Sequence, residues 1–562
     1  MKKIIYTFLF IILLSITISV AAKPCFPIMQ NPPFVIQMVA LDGNNVNAWI
    51  INTGIFDQDL RSQNTPGFEW PKNSGSFAIY TTGLSIAAIV NGVLKEAMAS
   101  YKGEYGPGYI YDSAGNPKAN TDNRFHIYKV KKGDNANTNL DWYYWGYMVF
   151  YGAPFIDVNH NGFYEPFIDT PGVKDASQTI FVCLTDGFPE RHQIGEGFGG
   201  GTAPLFAEVH MTAWTYDNPP VQDVQFIRWN IINKSHANWD STYTAILCDA
   251  DLGCANDDYT GCDTTRQLGY CYNGEAVDCN GTFRYPGVPP AVGFQWLNCS
   301  GVNNLELKSF FNFKGTSVPG PNCESDPNGE QVPAYYLLRG IKKDRTPWVV
   351  PPGGQQNVTK YCYSGDPETG TGWTEGLPGN PTGSIWNCGG PGVYTGTYHN
   401  INLMGDRRFC MSSGSDNNII HPNDTIKIMI AQFIAQGTSY LNSVTRLKIL
   451  ADTVKAFCSR GFVIGTDKIS SSVPERFMLF QNYPNPFNPT TNIKYQIAKN
   501  SNVSLKVYDI LGKEVITLVN EKLQPGTYST DWDATNYPSG VYFYQLIADG
   551  NVIDTKKMIL LK

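Results

Sequence analysis

Short apolar runs of strand length, set between polar and Gly/Pro-containing turns, recur along most of this chain. Segments 35–40, 179–184, 208–214, 225–233, 242–248 and 426–434 are dense in β-branched and aromatic residues, which suit a pleated, half-buried surface. The pattern predicts sandwich strands there. One segment breaks the rhythm: Leu441, Val444, Leu447, Ala451, Val454 and Phe457 recur at three- and four-residue steps, the spacing of an amphipathic helix packed on a sheet. Ser439 or Ser443 is placed to cap its start. From Pro319 to Gly405, Gly and Pro are frequent and periodicity fades, which predicts long loops.

Near the C-terminus the strand period returns. Val503, Leu505, Val507 and Asp509 alternate with Ser504, Lys506 and Tyr508, and Val541, Phe543 and Gln545 alternate with Tyr542, Tyr544 and Leu546. Gly512, Pro525-Gly526 and Ser539-Gly540 punctuate the runs as turns. Upstream, Pro484, Pro486 and Pro489 fix φ and hold their predecessors extended, so no helix passes through this stretch. The expected fold class is mainly β: a β-sandwich body with long disulfide-stapled loops and one amphipathic helix, then a small immunoglobulin-like β-sandwich.

Composition narrows the class. With 42% hydrophobic and only 16% charged residues, the chain can bury a large core and is not disordered. At the N-terminus Lys2 and Lys3 precede an apolar run from Ile4 to Val20, and Val20 and Ala22 are the small residues of a signal-peptidase site. Cleavage is expected after Ala22. The formal charge of −7 then moves to about −9 as the two lysines leave, and with no basic run in the body, nucleic acid is excluded as a partner.

Export changes the reading of the 13 cysteines. Cys248, Cys254, Cys262, Cys271, Cys279 and Cys299 crowd one segment, and in an oxidising compartment disulfides are the first expectation. The absence of Cys-x-x-Cys argues against zinc.

The best candidate chemistry is a cation loop. Asp157, Asn159 and Asn161 offer oxygens at alternate positions, Gly162 permits a sharp turn, Phe163 offers a backbone carbonyl, and Glu165 or Asp169 can close the shell. Such a set suits Ca²⁺. Pro166 forbids the exiting helix of an EF-hand, so the expectation is a structural Ca²⁺ loop among strands, against the alternative of an Asx turn closed by its own hydrogen bonds. A second, weaker metal candidate gathers Asp249, Asp251, Asp257, Asp258 and Asp263, whose carboxylates would repel one another without a cation or donors.

Other signals fail on context. Gly195-Glu196-Gly197-Phe198-Gly199-Gly200 fits G-x-G-x-x-G, but Pro204 soon follows where a helix should run. No His-Glu-x-x-His, Gly-x-Ser-x-Gly or P-loop occurs, and the 7 histidines show no ligand spacing. Arg407-Arg408 is expected to pair with nearby carboxylates. No catalytic residue is assigned.

Two resemblances add to this. The ordered blocks Gln481-Asn482-Tyr483-Pro484-Asn485-Pro486-Phe487-Asn488-Pro489-Thr490-Thr491, Leu505 to Val515, Ser539 to Leu546 and Lys556 to Lys562 resemble the type A C-terminal sorting domain of the bacterial type IX secretion system. In the body, Glu69 to Gly75, Gln222 to Ser235, Asp249 to Gly253 with Asp257 to Thr265, and Gly405 to Arg408 with Ser412 to Gly414 resemble a group of uncharacterised secreted proteins with the same tail. The first resemblance implies passage through the periplasm, recognition by the outer-membrane translocon, processing by a sortase, and attachment to anionic lipopolysaccharide. The expected division is a signal peptide at 1–22, a secreted body at 23–465 of one or two sub-domains, a linker at 466–477 and the sorting domain at 478–562. The expected function is a non-enzymatic extracellular or cell-surface protein, calcium-stabilised, that serves adhesion, glycan contact or self-assembly. A secreted hydrolase with a site assembled from distant residues is the alternative.

Overall fold

The computed structural model describes residues 35–61, 65–193, 198–298, 305–315, 318–376, 378–462, 467–470, 474, 476–534 and 537–561. The expected signal peptide, Cys25, Cys299 and the first glycines of the G-x-G-x-x-G segment lie outside them.

Two antiparallel sheets face each other in the body. The first runs in the order Met38–Leu41, Ala48–Ile51, Ile55–Phe56, Thr81–Val90, Asp240–Ala250, Arg407–Gly414, Ser309–Lys314, with Val93–Ala97 hairpinned onto Thr81–Val90. The second runs Tyr128–Lys131, Gln178–Thr185, Ala207–Thr215, Val224–Asn233, Thr425–Ala435, Ala291–Trp296, Leu268–Asn273, Asp258–Asp263, with Gly106–Pro107 beside Gln178–Thr185. Their facing sides meet in one large core that includes Ile86, Ile246, Leu247, Trp229, Ile231, Phe294, Phe409 and Ile428. Central strands such as Gln178–Thr185 and Ala207–Thr215 are buried on both faces. That is why their apolar runs are nearly continuous and do not alternate.

Four helices are described, α1 (Leu140–Tyr144), α2 (Gly146–Val149), α3 (Gln331–Leu338) and α4 (Tyr440–Ser459). Helix α4 is the amphipathic helix expected from the sequence. Ser439 caps it, its hydroxyl accepting from the Asn442 N–H at 3.1 Å, and Val444, Leu447, Ala451, Val454 and Phe457 cover the outer face of the second sheet over Trp214, Phe226, Tyr270 and Phe433. Helix α3 lies inside the stretch expected to be loop. Pro333 falls in its first turn, where no intrahelical N–H is lost, and Ala334, Tyr335, Leu337 and Leu338 are buried, so the helix survives a Gly/Pro-rich neighbourhood by packing.

The tail folds as two four-stranded sheets. Asp467–Ser470, Gly526–Asp533, Thr490–Ile497 and Met478–Leu479 form one, and Glu514–Leu523, Ser501–Tyr508, Gly540–Ala548 and Asn551–Leu560 form the other. Asp467–Ser470, in the segment read as linker, pairs with Thr527 to Ser529. Leu505, Val507, Tyr544, Leu546 and Trp532 fill the space between the sheets. The proline strap is fastened to the last strand: the Phe487 N–H donates to Ile559 O at 2.9 Å, the Leu561 N–H donates to Phe487 O at 3.0 Å, and Phe487 packs on Trp532.

Disulfides staple the loops as expected, but not throughout the crowded segment. Within the crowded segment the described bridge is Cys254–Cys279, whereas Cys248, Cys262 and Cys271 are buried free thiols. All three are buried on strands of the two facing sheets. Cys323–Cys388 does pin the long-loop region, and Cys458 at the end of α4 is also disulfide-bonded.

Candidate functional site

Strand register builds an acidic cleft at one end of the first sheet. Asp249 lies opposite Arg408 in the pairing of Asp240–Ala250 with Arg407–Gly414, Asp251 follows just past the strand end, and Asp406 just precedes its neighbour. A solvent-open cleft of about 570 Å³ lies above them, walled by Tyr80, Tyr101 and Phe283 and by Cys254 and Asn280 of the disulfide-stapled loop. One carboxylate oxygen each from Asp249, Asp251 and Asp406 lies within 4.8 Å of the others. The Tyr101 hydroxyl donates to Asp249 Oδ2 at 2.7 Å and accepts from Arg408 Nε at 2.5 Å. The Arg408 guanidinium is 3.3 Å from Asp249, 3.4 Å from Asp406 and 3.6 Å from Asp326.

This arrangement perturbs acidity. Burial pushes the Asp249 carboxyl up to about 6, against the pull of Arg408, and burial with the charges of Asp249 and Asp406 pushes Asp251 well above the carboxylate range. Of the five aspartates grouped from the sequence, Asp249 and Asp251 stay together with Asp406, and the other three go elsewhere. Asp257 and Asp278 pair beneath the Cys254–Cys279 bridge, with Cys279 N–H donating to Asp257 at 2.8 Å and Tyr285 N–H to Asp278 at 2.6 Å. Asp258 turns into the core, accepting from Leu252 N–H at 3.2 Å beside Cys271. Asp263 caps the following turn and holds Arg266 at 2.7 Å. Asp406, Arg408 and Tyr101 were missed as site members because only long-range strand pairing brings them to Asp249. Arg407, expected to pair with carboxylates, does so with Glu375 at 2.7 Å, both fully buried.

The Asp157 loop is more self-contained. Asp157 accepts from Asn161 N–H at 3.2 Å and Gly162 N–H at 2.7 Å, and the amides of Asn159 and Asn161 donate to Glu165 Oε2 at 2.7 and 2.5 Å. Asp169, which is buried, accepts from Val158 N–H at 2.9 Å and Glu165 N–H at 2.7 Å, while Phe163 projects into solvent. The side chains of Asp157, Asn159, Asn161 and Glu165 thus converge, with Asp169 bracing the loop from below.

Beside this loop stands an aromatic surface that motif reading did not single out. Helices α1 and α2 bury Trp145 and Met148 against Tyr128, Phe181 and Cys183, and the Trp145 indole N–H donates to Pro154 O at 2.8 Å. The opposite side exposes Tyr143, Tyr144, Tyr147 and Phe150, the last at 88%. The Tyr144 and Tyr147 rings are nearly parallel, 7° apart with centroids at 5.6 Å, and Tyr143 meets Phe167 at 6.0 Å. Phe163 and Phe167, exposed at 75% and 70%, extend the patch from the Asp157 loop. The signal for it in sequence is the aromatic density of residues 142–151.

No curated protein matches the sequence. Solved structures similar to parts of the chain include a polysaccharide lyase (6% identity, TM-score 0.15, 63% of this chain and 34% of the lyase), so the chain spans about a third of that relative's length. Others are the adhesin domain of Epf from Streptococcus pyogenes (7%, 0.13, 64% and 93%) and dimeric latent PorU from Porphyromonas gingivalis (9%, 0.14, 68% and 31%). At those TM-scores the likenesses carry no argument. Among the described residues no helix is long and apolar enough to cross a membrane. Residues 481–561 match the family described as the secretion system C-terminal sorting domain, so the tail is a type IX secretion sorting domain and the chain it ends is cargo delivered to the extracellular or cell-surface space.

Proposed function

We propose that the exported body is a non-enzymatic adhesive protein that grips carbohydrate through the aromatic surface of residues 143–167. The observation that carries this reading is the exposed, nearly parallel Tyr144 and Tyr147 pair, flanked by Tyr143, Phe150 and Phe167. Contiguous exposed apolar surface on a soluble protein marks a contact site. Rings with a polar edge suit a sugar, whose C–H face packs on the π-face while its hydroxyls reach the phenols. Trp145 beneath fixes the platform before the ligand arrives, which lowers the ordering cost of binding. Calcium in the Asp157 loop, held by Asp157, Asn159, Asn161, the Phe163 carbonyl and Glu165, with Asp169 behind, braces the edge that presents Phe163 and Phe167. In the same reading the sorting domain meets the translocon and a sortase, and the body is left on anionic lipopolysaccharide.

Co-sedimentation of the full chain with insoluble polysaccharides tests the platform. The Tyr144→Ala/Tyr147→Ala chain should lose most retention, and equal retention of wild type and variant overturns the reading. The acidic cleft favours a second reading, a glycan hydrolase that uses the raised carboxyls of Asp249 and Asp251 as acid and base. Product release abolished by Asp249→Asn would select it.

A further inference from the structure

We propose that the floor of the acidic cleft is a divalent-cation site of the calcium class, with Asp249, Asp251 and Asp406 as its protein ligands. The three offer carboxylate oxygens mutually within 4.8 Å, close enough for one hard cation to touch all three at the 2.3–2.6 Å typical of Ca²⁺–O bonds.

The second observation is independent of the clustering. Asp249 is only 7% exposed, yet its Oδ1 accepts no hydrogen bond, and its 3.3 Å approach to Arg408 Nε is an ion-pair contact without hydrogen-bond geometry. The buried Asp406 Oδ1 likewise accepts none. Asp251 has neither a hydrogen bond nor an ion pair among the described residues. Buried acceptors without donors are costly, and Arg408 offers one positive charge to three carboxylates while also facing Asp326. With all three carboxylates ionised, as ligation of a cation requires, two negative charges remain even if Arg408 is counted wholly for the trio. A divalent cation supplies that charge and fills the vacant lone pairs.

The donor set selects the metal class. All three ligands are hard oxygens, and the one cysteine that lines the cleft, Cys254, is locked in a disulfide with Cys279, so thiophilic metals gain nothing here. Among the described residues the two other acidic groupings of this kind, around Cys254–Cys279 and Cys323–Cys388, count disulfide sulfurs among their members and cannot ligate in the same way. The cleft is open, so water completes the shell. This site is separate from the Asp157 loop and does not depend on the aromatic platform.

Terbium luminescence of the full chain, excited through Tyr80 and Tyr101 in the cleft wall, tests the site, with Ca²⁺ as competitor. The Asp157→Asn chain should keep a Ca²⁺-displaceable signal, and Asp251→Asn should weaken that binding at least tenfold. In chelator, Asp251→Asn should melt no lower than wild type, since it removes a carboxyl that makes no hydrogen bond or ion pair. Undiminished binding by Asp251→Asn, absence of any Ca²⁺-displaceable signal in wild type, or a lower melting point of Asp251→Asn in chelator would each overturn the proposal.

Discussion

Replacing Asp57 by asparagine should stabilise the body at mildly alkaline pH, against the usual outcome for a fully buried position. Asp57 lies between the two sheets, where its Oδ1 accepts from Gln432 Nε2 at 3.0 Å and its Oδ2 has no hydrogen-bond partner. Burial raises its carboxyl from the ordinary 3.8 to about 7, against the opposing pull of Thr82 and Gln432. Because the folded pKa lies above the unfolded one, the folded state holds the proton more tightly. The stability this group allows is present below about pH 4 and is lost as pH rises through about 7. A rise of about three units at ~1.4 kcal/mol each makes the penalty at pH 8 about 4 kcal/mol, an upper limit. Asparagine carries no charge, and its amide can donate to the orphaned Gln432 Oε1. The backbone there has φ +62, a left-handed conformation that asparagine adopts readily. Guanidinium denaturation followed by tryptophan fluorescence reads the body, since every tryptophan except Trp532 lies there and Trp229 packs 5.9 Å from Phe56. Asp57→Asn should gain up to about 4 kcal/mol at pH 8 and nothing at pH 4. Wild-type stability that stays flat from pH 4 to 8, or a variant weaker than wild type at pH 8, refutes the reasoning.

Three further outcomes are expected. Glu375→Ala strands the fully buried Arg407 guanidinium and leaves the Thr260 N–H and Asn312 amide without their acceptor, so it should cost about 3–5 kcal/mol in the same denaturation assay. Deleting residues 478–562 should leave the body in the periplasm, read by cell fractionation; a body that still reaches the surface contradicts the role of the tail. Calcium should raise the melting temperature of the Asp251→Asn chain, in which the cleft site is disabled, and an added Asp157→Asn change should abolish that rise; no shift in the parent sinks the metal at the loop.

Much of the fold was legible because local rules and global packing agree. Segment 426–434 is apolar but for Lys427 and Gln432, and Thr425–Ala435 packs on both sides, against the opposite sheet and against α4. The period of Leu441 to Phe457 and the Ser439 cap gave α4 directly. Helix α3 was hidden because its residues are apolar all round and carry no period, and because Pro333 reads as a breaker away from its helical context. The site was less legible for a different reason. Asp249 and Asp251 were visible as acidic, but their partner Asp406 lies far along the chain, and strand register, set by packing of whole sheets, brings it near. The aromatic platform stayed obscure because tyrosines of a core and of a binding face look alike until burial separates Trp145 from Tyr147.

The most direct test of the central claim incubates the full-length secreted chain with insoluble polysaccharide and measures, in one sample, both retained protein and released reducing ends. An adhesive protein gives saturable retention, lost in the Tyr144→Ala/Tyr147→Ala chain, with no release over the substrate blank. Reducing ends that accumulate with time and vanish in Asp249→Asn would contradict the account and make the acidic cleft, not the aromatic surface, the working site.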